Sequence, residues 1–355
     1  MSGSISICNL NWVLGEQELG PLEQYFSTAL ASNGREVNFI NIHSLYKSSW
    51  KKLSGYAHRF PRKYDNKIIR KHYSVINEAL ISRYKIEKPS YIFVYNDCML
   101  LPETIDYFKK NGSKVIVFLA DDPNYLFSSK KTFLLTVMKA DTVILPDEGW
   151  IPGLKMLDVK NIIYSPYGTD PKTFYPVTPD NDQANKYKAD ILFIGTAYYL
   201  NSWGIRRATI LNELSGMDIK IFGDNSWNDL LPLFPDLKKN YVPGPLHSKE
   251  VNIACSCCKL YPVIVNSGVL EGVSTRIFDC LASGIFILAE YRKALETLFP
   301  DNEIVTFKSK SELKDKAEYF LKNEIERLDY AKRGRNKVLR DYTLDISVKN
   351  ILEQI

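Results

Sequence analysis

The segment YPVIVNSGVLEGVSTRIFDCLASGIFILAE, residues 261–290, decides the fold class of this 355-residue chain. Its two ends, YPVIVN (261–266) and IFILAE (285–290), have the β-branched and aromatic composition of buried strands. Between them, STRIFDCLASG has a serine and a threonine suited to cap a helix and a glycine suited to end it. A strand, a helix and a second strand in this order predict a parallel sheet covered by helices.

The same alternation of apolar runs with helical patterns extends along the chain in both directions. A stretch rich in proline and small polar residues, SPYGTDPKTFYPVTPDNDQANKYK (165–188), interrupts it and has the composition of a linker. Strands alternating with helices on either side of a linker indicate two α/β units. The remaining predicted strands are ISIC (5–8), VNFINI (37–42), YIFVYN (91–96), VIVFLA (115–120), TVILP (142–146), NIIYSP (161–166), DILFIG (190–195), IKIFG (219–223) and IVTF (304–307).

The predicted fold class is therefore α/β, with two Rossmann-like, doubly wound parallel-sheet domains that face each other across a cleft. A chain of 355 residues is long enough for two cores. Residues 311–355 have a helical pattern with expected breaks at 333–334 and 342–343, and the end of the chain is expected to cross back to the first domain. The predicted boundaries are 1–172 for an N-terminal domain, 173–188 for the linker, 189–340 for a C-terminal domain and 341–355 for a C-terminal helix.

The composition, 45% hydrophobic and 25% charged, is typical of a globular protein and argues against disorder. Because we find neither a signal-peptide pattern nor the roughly 18 to 20 apolar residues that span a bilayer, we expect a cytoplasmic protein whose membrane contact, if any, is peripheral. Six cysteines do not make a disulfide scaffold. Cys255, Cys257 and Cys258 are close in sequence, but the four histidines supply no second ligand pair, so no metal site is expected.

Positive charge is concentrated in one stretch, residues 46–73, which we call the basic segment. It holds nine Lys or Arg residues against a single acid, Asp65, in a chain whose net charge is +5. This mixture with aromatic residues suits phosphate-rich acceptors, membrane surfaces or nucleic acid. A solvated helical face with its aromatic side chains turned into the core is an equal alternative. The aromatic residues are Tyr46, Trp50, Tyr56, Phe60, Tyr64 and Tyr73.

In the second domain, a strand, a glycine and a helix follow one another twice. DILFIG ends at Gly195, which is followed by Thr196 and by a helix that carries Arg206 and Arg207. A small residue at a strand end lets a ligand approach the backbone, and an arginine fork binds a diphosphate through two oxygens. This pattern is compatible with a phosphate site at Gly195 and the two arginines, but by itself it does not specify one.

The helix that begins near Ser274 and Thr275 points its free amides and its positive dipole end at the same edge of the sheet. Arg276, in the first turn, is unfavourable for the helix itself, and a bound anion would explain its presence. Glu271 and Asp279 are eight residues apart. Asp279 lies on the helix, one turn beyond Ser274 and Thr275, where its carboxylate could accept hydrogen bonds from two ribose hydroxyls. Glu271 precedes the helix and would lie toward a sugar. Alternatively, both acids face solvent and pair with Arg276.

Two motifs here resemble those of known glycosyltransferases. The run EGVSTRIFD (271–279) resembles the acid-x7-acid motif of GT-B glycosyltransferases, and TRIFDCLASGIFILAE (275–290) is similar to the R-x-F-E-x-x-A-x-G-x-x-x-L run of the CgeB-like glycosyltransferases. The resemblance, which extends from about residue 70 to the end of the chain, implies a GT-B fold. It also implies metal-independent transfer of a hexosyl or pentosyl group from a nucleotide sugar, preferably a UDP-sugar, as co-substrate without a further cofactor. Further matches are DILFIG with Arg206, YGTDPKTFYP (167–176), KPSYIFVYND (88–97) and DDP (121–123).

The resemblance implies a role for each residue of the donor site, in a C-terminal donor-binding domain opposite an N-terminal acceptor-binding one. Asp279 would hold the nucleotide ribose, although the family has glutamate at this position. Arg276 and Arg206 would bind the diphosphate with the amides at the helix start, and the base would lie near Gly223 and Leu246. The implied donor residues are Gly195, Thr196, Arg206, Gly223, Leu246, Glu271, Ser274, Thr275, Arg276 and Asp279.

Glycosyl transfer needs a stabilised leaving diphosphate and can need a base for the acceptor hydroxyl. Asp121 and Asp122 follow the strand VIVFLA, and a looser resemblance to T-even phage DNA β-glucosyltransferases, whose catalytic aspartate follows a similar strand, favours Asp121. The acid-x7-acid motif favours retention and an aspartate base favours inversion, so the stereochemistry stays open. The N-terminal loop NWVLGEQELGP (11–21) is expected to border the acceptor or the donor sugar through Gly15, Glu18 and Gly20.

Three functions remain open from the sequence. The resemblance favours an enzyme that builds a cell-envelope or spore-coat glycan, with a glycan, glycolipid or glycoconjugate as acceptor. A phage-type enzyme that glycosylates a hydroxymethylated base in DNA would bind backbone phosphates through Arg62, Lys63 and Arg70 and receive a flipped nucleotide. The third is a non-catalytic protein that binds nucleotide sugars or polyanions. The presence of both Asp121 and the phosphate-facing arginines argues against this third function.

Overall fold

The computed structural model describes residues 10–15, 22–57, 62–96, 98–123, 133–247 and 249–355. The chain divides into two units, Met1–Ser165 together with Val348–Ile355, and Pro166–Ser347. Each unit has its own six-stranded parallel sheet and its own hydrophobic core. The predicted α/β class with two parallel sheets is confirmed.

The sheet of the first unit has the strand order β2-β1-β3-β4-β5-β6, and its neighbouring strands are parallel. The chain crosses back once, because β1 lies between β2 and β3. The strands are β1 (Leu10–Gly15), β2 (Glu36–Asn41), β3 (Tyr91–Tyr95), β4 (Lys114–Phe118), β5 (Thr142–Leu145) and β6 (Ile162–Tyr164). The helices are α1 (Leu22–Ser32), α2 (Ser48–Ala57), α3 (Arg62–Glu87), α4 (Pro102–Lys110), α5 (Phe133–Lys139) and α6 (Ile151–Met156).

Strand β1 corrects one expectation, because residues 11–15 were predicted to belong to a loop. Trp12, Val13 and Leu14 are fully buried at the centre of the sheet, where large apolar and β-branched side chains favour a strand. The Trp12 indole packs edge-on against Phe108, at 6.1 Å between ring centroids, and donates a hydrogen bond of 2.8 Å to Glu87. The strand predicted at 5–8 lies outside the described residues.

The second sheet has the order β12-β11-β10-β7-β8-β9, and its neighbouring strands are again parallel. Its two central strands, β10 and β7, are followed by crossovers toward opposite edges of the sheet. The strands are β7 (Ala189–Ile194), β8 (Ile219–Gly223), β9 (Tyr241–Pro243), β10 (Cys258–Val263), β11 (Phe286–Glu290) and β12 (Val305–Phe307). The helices are α7 (Asn181–Tyr187), α8 (Ser202–Asn212), α9 (Pro235–Lys238), α10 (Lys249–Cys257), α11 (Thr275–Ala282), α12 (Ala294–Leu298), α13 (Lys310–Lys322) and α14 (Glu324–Asp341). The last helix, α15 (Leu344–Leu352), begins in the second unit and ends in the stretch that belongs to the first.

Helix α7 lies inside the stretch that was predicted to be a linker without helical structure. Asp180 accepts a hydrogen bond of 2.8 Å from the Gln183 backbone, and the Gln183 side chain accepts one of 3.2 Å from the Asp180 backbone. This reciprocal cap stabilises a helix of only two turns, too short to show a period in the sequence. The short strand β9 was likewise not predicted.

Helix α14 passes through the predicted break at residues 333–334, so that expectation is wrong, whereas the break at 342–343 is observed. A Cβ at Gly334 would lie 2.6 Å from the Leu281 side chain and 3.1 Å from the Glu303 carbonyl. Glycine therefore serves the close packing of α14 against α11, because a Cβ here would force the Leu281 side chain to move.

The segment that follows β6 pairs with the segment between α14 and α15 within the second unit. The Thr169 amide donates to the Tyr342 carbonyl at 2.9 Å, and the Leu344 amide donates to the Thr169 carbonyl at 2.9 Å. A Cβ at Gly168 would lie 2.9 Å from the backbone of Thr343 and Leu344. These two stretches are adjacent to the points, 165–166 and 347–348, at which the chain passes from one unit to the other.

Candidate functional site

A cavity of about 240 Å³ opens at the carboxyl ends of β7 and β10. Since the crossovers after these two neighbouring strands lead to opposite edges of the sheet, the loops after them separate and leave a crevice. Ligands of open α/β sheets bind at this kind of position. The cavity is lined by Phe193, Ile194, Gly195, Thr196, Tyr198, Arg207, Tyr261, Val263, Ile264, Ser274, Thr275 and Arg276.

Gly195 and Thr196 lie directly after β7 and line the cavity, as the predicted site requires. A Cβ at Gly195 would lie 3.2 Å from the Phe193 ring and 3.5 Å from the Arg207 guanidinium, so a side chain would crowd this wall. The Thr196 hydroxyl lies 3.0 Å from Ser226 and 3.3 Å from Asp224, which fixes its orientation.

Ser274 is the N-cap of α11, and its hydroxyl accepts a hydrogen bond of 3.2 Å from the Arg276 amide. The predicted cap is therefore confirmed. Ser274, Thr275 and Arg276 all line the cavity, so the positive end of the helix dipole is directed at it. A helix start that opens into a cavity is suited to binding an anion.

Arg276 has no carboxylate within ion-pair distance among the described residues, although it is half-buried. Glu271 pairs instead with Lys293, 3.5 Å away, and Asp279 accepts a hydrogen bond of 3.0 Å from the Thr169 hydroxyl. The alternative in which Arg276 is the ion-pair partner of the two acids is not observed. Burial opposes the charge of Arg276, but Tyr261 and other neighbouring groups outweigh it and raise its pKa, so it stays a cation.

Arg207, rather than Arg206, lines the cavity together with Arg276. Arg207 is buried and donates to the Thr196 carbonyl at 2.5 Å and to the Ile264 carbonyl at 3.2 Å, which joins the loops after β7 and β10. Arg206 binds the carboxylate of Glu290 and the Val265 carbonyl, the latter at 3.1 Å. The sequence pattern named Arg207 beside Arg206, but the resemblance gave the diphosphate role to Arg206; Glu290 was not assigned a role.

Tyr198 forms a wall of the cavity in an unusual backbone conformation. Its φ is 59°, that of Tyr199 is 58°, and such left-handed angles cost non-glycine residues energy unless contacts hold them. The Tyr198 ring covers the Arg207 guanidinium at 4.7 Å and packs edge-on against Trp203 at 5.3 Å. Its hydroxyl accepts a long hydrogen bond, 3.4 Å, from Asn266. The loop after β7 is thus held in place around the cavity.

The two acids of the acid-x7-acid motif occupy different environments. Glu271 is partly exposed, with 40% of its side-chain surface accessible, whereas Asp279 is buried on α11. Burial raises the pKa of Asp279 to about 7, although the Arg276 charge and the Thr169 hydrogen bond lower it. Asp279 is therefore close to half-protonated at neutral pH.

Gly223 and Leu246, the predicted contacts to the base, are not among the residues that line the cavity. Gly223 ends β8, and a Cβ there would meet the Gly195 carbonyl at 2.5 Å and the Trp227 ring at 2.4 Å. Leu246 is buried in the loop after β9. Only glycine permits the close approach of the strand ends at 195 and 223.

In the first unit, Asp121 lies beyond the end of β4 and accepts a hydrogen bond of 3.0 Å from the Asn96 side chain. Asn96 follows the neighbouring strand β3 and has a φ of 54°. Asp121 is exposed at the surface, but desolvation by the atoms around its carboxylate raises its pKa. The Asn96 hydrogen bond lowers the pKa and the charge of Asp122 raises it, with an upward shift as the result. Gly15 ends the next strand, β1, so it lies at the same edge of the sheet.

The basic segment combines packed aromatic side chains with exposed charges. The His72 ring is buried and lies 4.4 Å from the Tyr46 ring and 6.2 Å from that of Trp50, which is stacked on it. Arg62 and Lys63 lie in the first turn of α3, and Glu18 and Gly20 lie outside the described residues. The exposed basic residues with described side chains are Lys47, Lys52, Lys67, Arg70 and Lys71.

Within the described ranges, no three His, Cys, Asp or Glu residues are grouped so that they could hold a metal ion. Cys255 and Cys257 lie on α10 and Cys258 begins β10, and all three are free thiols. In the same part of the chain, we find no helix with the length and apolar character needed to cross a membrane.

Solved structures share this fold over nearly the whole chain. Sucrose-phosphate synthase from Thermosynechococcus elongatus is similar with a TM-score of 0.70 and 12% identity, covering 97% of both chains. HepE from Anabaena, in complex with UDP-glucose, has a TM-score of 0.62 and 11% identity, covering 97% of this chain and 98% of that chain. Trehalose-6-phosphate from E. coli bound with UDP-2-fluoro glucose has a TM-score of 0.65 and 10% identity over the same shares.

The fold is therefore that of the GT-B glycosyltransferases. A protein-family model described as glycosyl transferase-like matches residues 206–353, which is less than half of the chain and holds α11 and both arginines of the cavity. No curated protein matches the sequence.

Proposed function

We propose that this protein is a glycosyltransferase that binds a nucleotide sugar, a UDP-sugar by preference, in the cavity of its second unit. The observation that carries the proposal is Arg276, a half-buried cation without a carboxylate partner in the described structure, at a helix start that lines the cavity. A cation in the first turn of its helix is unfavourable by roughly 0.3 to 1 kcal/mol, and a bound diphosphate would reverse that effect. The family match and the GT-B fold support the same reaction class.

The diphosphate would rest on the amides at the start of α11, between Arg276 and Arg207. Ser274 and Thr275 provide the polar wall, and Gly195 leaves room for the phosphates. Arg206 would act indirectly, because Glu290 already engages it. In this arrangement the fixed charges stabilise the diphosphate as it leaves, which lowers the barrier to transfer without reorganisation.

The remaining donor contacts follow the resemblance to the family. Glu271, partly exposed before α11, would meet the sugar, and the base would lie near Gly223 and Leu246. For Asp279 to bind the ribose, its carboxylate would have to exchange the Thr169 hydroxyl for ribose hydroxyls. Uridine is favoured as the nucleoside because two structural neighbours are named with UDP-glucose or its 2-fluoro analogue.

On the acceptor side we propose Asp121 as the base, since Asn96 orients it and its raised pKa makes it a better proton acceptor. Asp122 is the alternative. The proposed acceptor is the hydroxyl of a cell-envelope or spore-coat glycan, glycolipid or glycoconjugate. Four further properties stay predictions: transfer without a metal ion, a hexosyl or pentosyl donor, membership of the CgeB-like subgroup, and a cytoplasmic location.

A ligand screen by thermal unfolding tests the proposal. UDP and UDP-, GDP- and dTDP-sugars are added to the full chain. A ligand at about 100 times its Kd stabilises the folded protein by about 2.7 kcal/mol, which raises the Tm of a unit of the size of 166–347 by roughly 5 to 10 °C. Without an acceptor, we expect the wild type to hydrolyse its nucleotide sugar slowly. Arg276→Ala should lose both this hydrolysis and the thermal shift. Arg340→Ala, which removes an exposed arginine of α14, is the matched control and should keep both. No shift with any nucleotide would refute the proposal.

The exposed charges of the basic segment favour one second candidate, a DNA glycosyltransferase that binds duplex phosphates. It shares the donor site proposed above and differs only in its acceptor.

A third possibility, a non-catalytic nucleotide-sugar or polyanion-binding protein, would show the thermal shift without donor turnover.

A further inference from the structure

The carboxylate of Glu290 is the centre of an ion cluster beside the cavity. Glu290 ends β11, its side chain is only 7% exposed, and it accepts a hydrogen bond of 3.2 Å from the Val265 amide. The same carboxylate binds the guanidinium of Arg206 and, at 3.1 Å, that of Arg292. One buried anion therefore holds two cations and the beginning of a loop.

Both arginines extend this cluster to the loop between β10 and α11. Arg206 donates to the Val265 carbonyl at 3.1 Å, and Arg292 donates through Nε to the Val269 carbonyl at 3.2 Å. Two residues farther along, the Glu271 carbonyl accepts a hydrogen bond of 3.0 Å from the Ala294 amide. The loop is thus fixed at three backbone positions by the segment 290–294.

This loop leads directly to Glu271 and to the N-cap of α11. We propose that Glu290 is a positioning residue that sets the place of Glu271, and with it the recognition of the sugar part of the donor. The inference rests on the proposed function, in which Glu271 meets the sugar. It also explains why Arg206 is not available to the diphosphate, since its guanidinium is used to hold the loop.

The cluster and the cavity wall are held by different contacts. Arg207 and the Ser274 cap fix the phosphate side through the Thr196 and Ile264 carbonyls and the Arg276 amide. The Glu290 cluster fixes Val265 and Val269 instead. Loss of the Glu290 charge should therefore disturb the sugar side much more than the phosphate side.

Glu290→Gln is the decisive variant because it preserves size while removing the charge. One carboxylate oxygen becomes an amide group, a donor that would face the donors of Val265 and the arginines. Glu290→Asp retains the charge but is one methylene shorter, so it should show the same defect to a smaller degree. Glu303→Gln is the matched control, because Glu303 is a second buried glutamate of this unit, bonded to the Asp301 amide and facing Lys337.

The test measures the Kd of UDP and of the UDP-sugar that the wild type binds most tightly, by calorimetry on the full chain. We expect Glu290→Gln to keep the UDP affinity within about 2-fold and to lose about 10-fold or more in affinity for the UDP-sugar, or about 1.4 kcal/mol. Glu303→Gln should keep both affinities. Hydrogen exchange of the free protein gives a second readout, with faster exchange expected at residues 265–271 in Glu290→Gln.

The outcomes separate the two claims. If Glu290→Gln weakens UDP and the UDP-sugar equally, or leaves both unchanged, the positioning role is overturned while the proposed function stands. If Glu290→Gln does not fold, the same criteria apply to Glu290→Asp. If the wild type binds neither UDP nor any UDP-sugar, the proposed function fails and the inference fails with it.

Discussion

Asp279 makes the stability of this protein depend on pH in a sense opposite to that of most aspartates. Burial raises its pKa to about 7, although the Arg276 charge and the Thr169 hydrogen bond lower it, whereas its ordinary value is 3.8. Between these two values the folded protein keeps a proton that the unfolded chain has released. The free energy of unfolding should therefore fall as the pH rises from about 4 to about 7.

The magnitude follows from the two pKa values. Each tenfold difference in proton affinity is worth about 1.4 kcal/mol, so the ionised, buried carboxylate costs about 4 kcal/mol above neutral pH. Asp279→Asn keeps the size of the side chain and an acceptor for the Thr169 hydroxyl but cannot ionise. We expect the variant to match the wild type near about pH 4 and to be more stable by up to about 4 kcal/mol above about pH 8.

Urea denaturation between about pH 4.5 and about pH 8.5 measures this difference, with the fluorescence of Trp203 and Trp227 reporting on the second unit. Asp341→Asn is the control of opposite sign. The hydrogen bond from Arg340 lowers the pKa of Asp341 to about 2, so its contribution is constant over this range and is lost only as the pH falls toward about 2. Equal pH slopes for the wild type and Asp279→Asn would refute the reasoning.

Three other predictions concern the packing of α14, the base and the basic segment. Gly334→Ala should lower the free energy of unfolding by about 1 to 3 kcal/mol, because its Cβ would lie 2.6 Å from the Leu281 side chain. Gly216→Ala, where a Cβ meets open space, is the control and should lower the free energy of unfolding less. Urea titration measures both. Asp121→Asn should reduce donor turnover at least about 100-fold while UDP binding, measured by calorimetry, is unchanged; unchanged turnover would exclude Asp121 as the base. If DNA is the acceptor, duplex binding in a filter-binding assay should weaken steeply as the salt concentration rises. Charge reversal at Arg62, Lys63 and Arg70 should abolish that binding. A wild type that does not bind duplex DNA would exclude the DNA glycosyltransferase.

The sequence allowed the strand and helix order, and the start of α11, to be predicted because local rules govern them. A serine before an amphipathic run caps a helix whatever lies around it, and buried parallel strands require continuous apolar runs. Strand β1 was placed wrongly because its residues were read together with the polar ones that follow. Helix α7 and strand β9 are too short for their period to be recognised.

The choice between Arg206 and Arg207 was not accessible to sequence reasoning. Which arginine of α8 points into the cavity depends on how the preceding loop enters the helix, and that loop contains two residues with left-handed φ at 198 and 199. Tyr198 holds this conformation through contacts with Trp203 and Arg207, which are known only once the fold is formed. The ion pair of Arg206 with Glu290 was not accessible for the same reason, since α8, the loop after β10 and the segment 290–294 meet only in the folded unit.

The pairing of Thr169 with the stretch around Thr343 determines how this protein can be divided by limited proteolysis or cloning. A fragment with the predicted boundaries 189–340 would lack both partners and would leave the buried Asp279 without its hydroxyl donor. Residues 166–347 instead retain the pairing and the donor to Asp279. A nucleotide-binding fragment should therefore start before Gly168 and end no earlier than Ser347. A shorter one should aggregate or lose ligand binding even though every cavity residue is present.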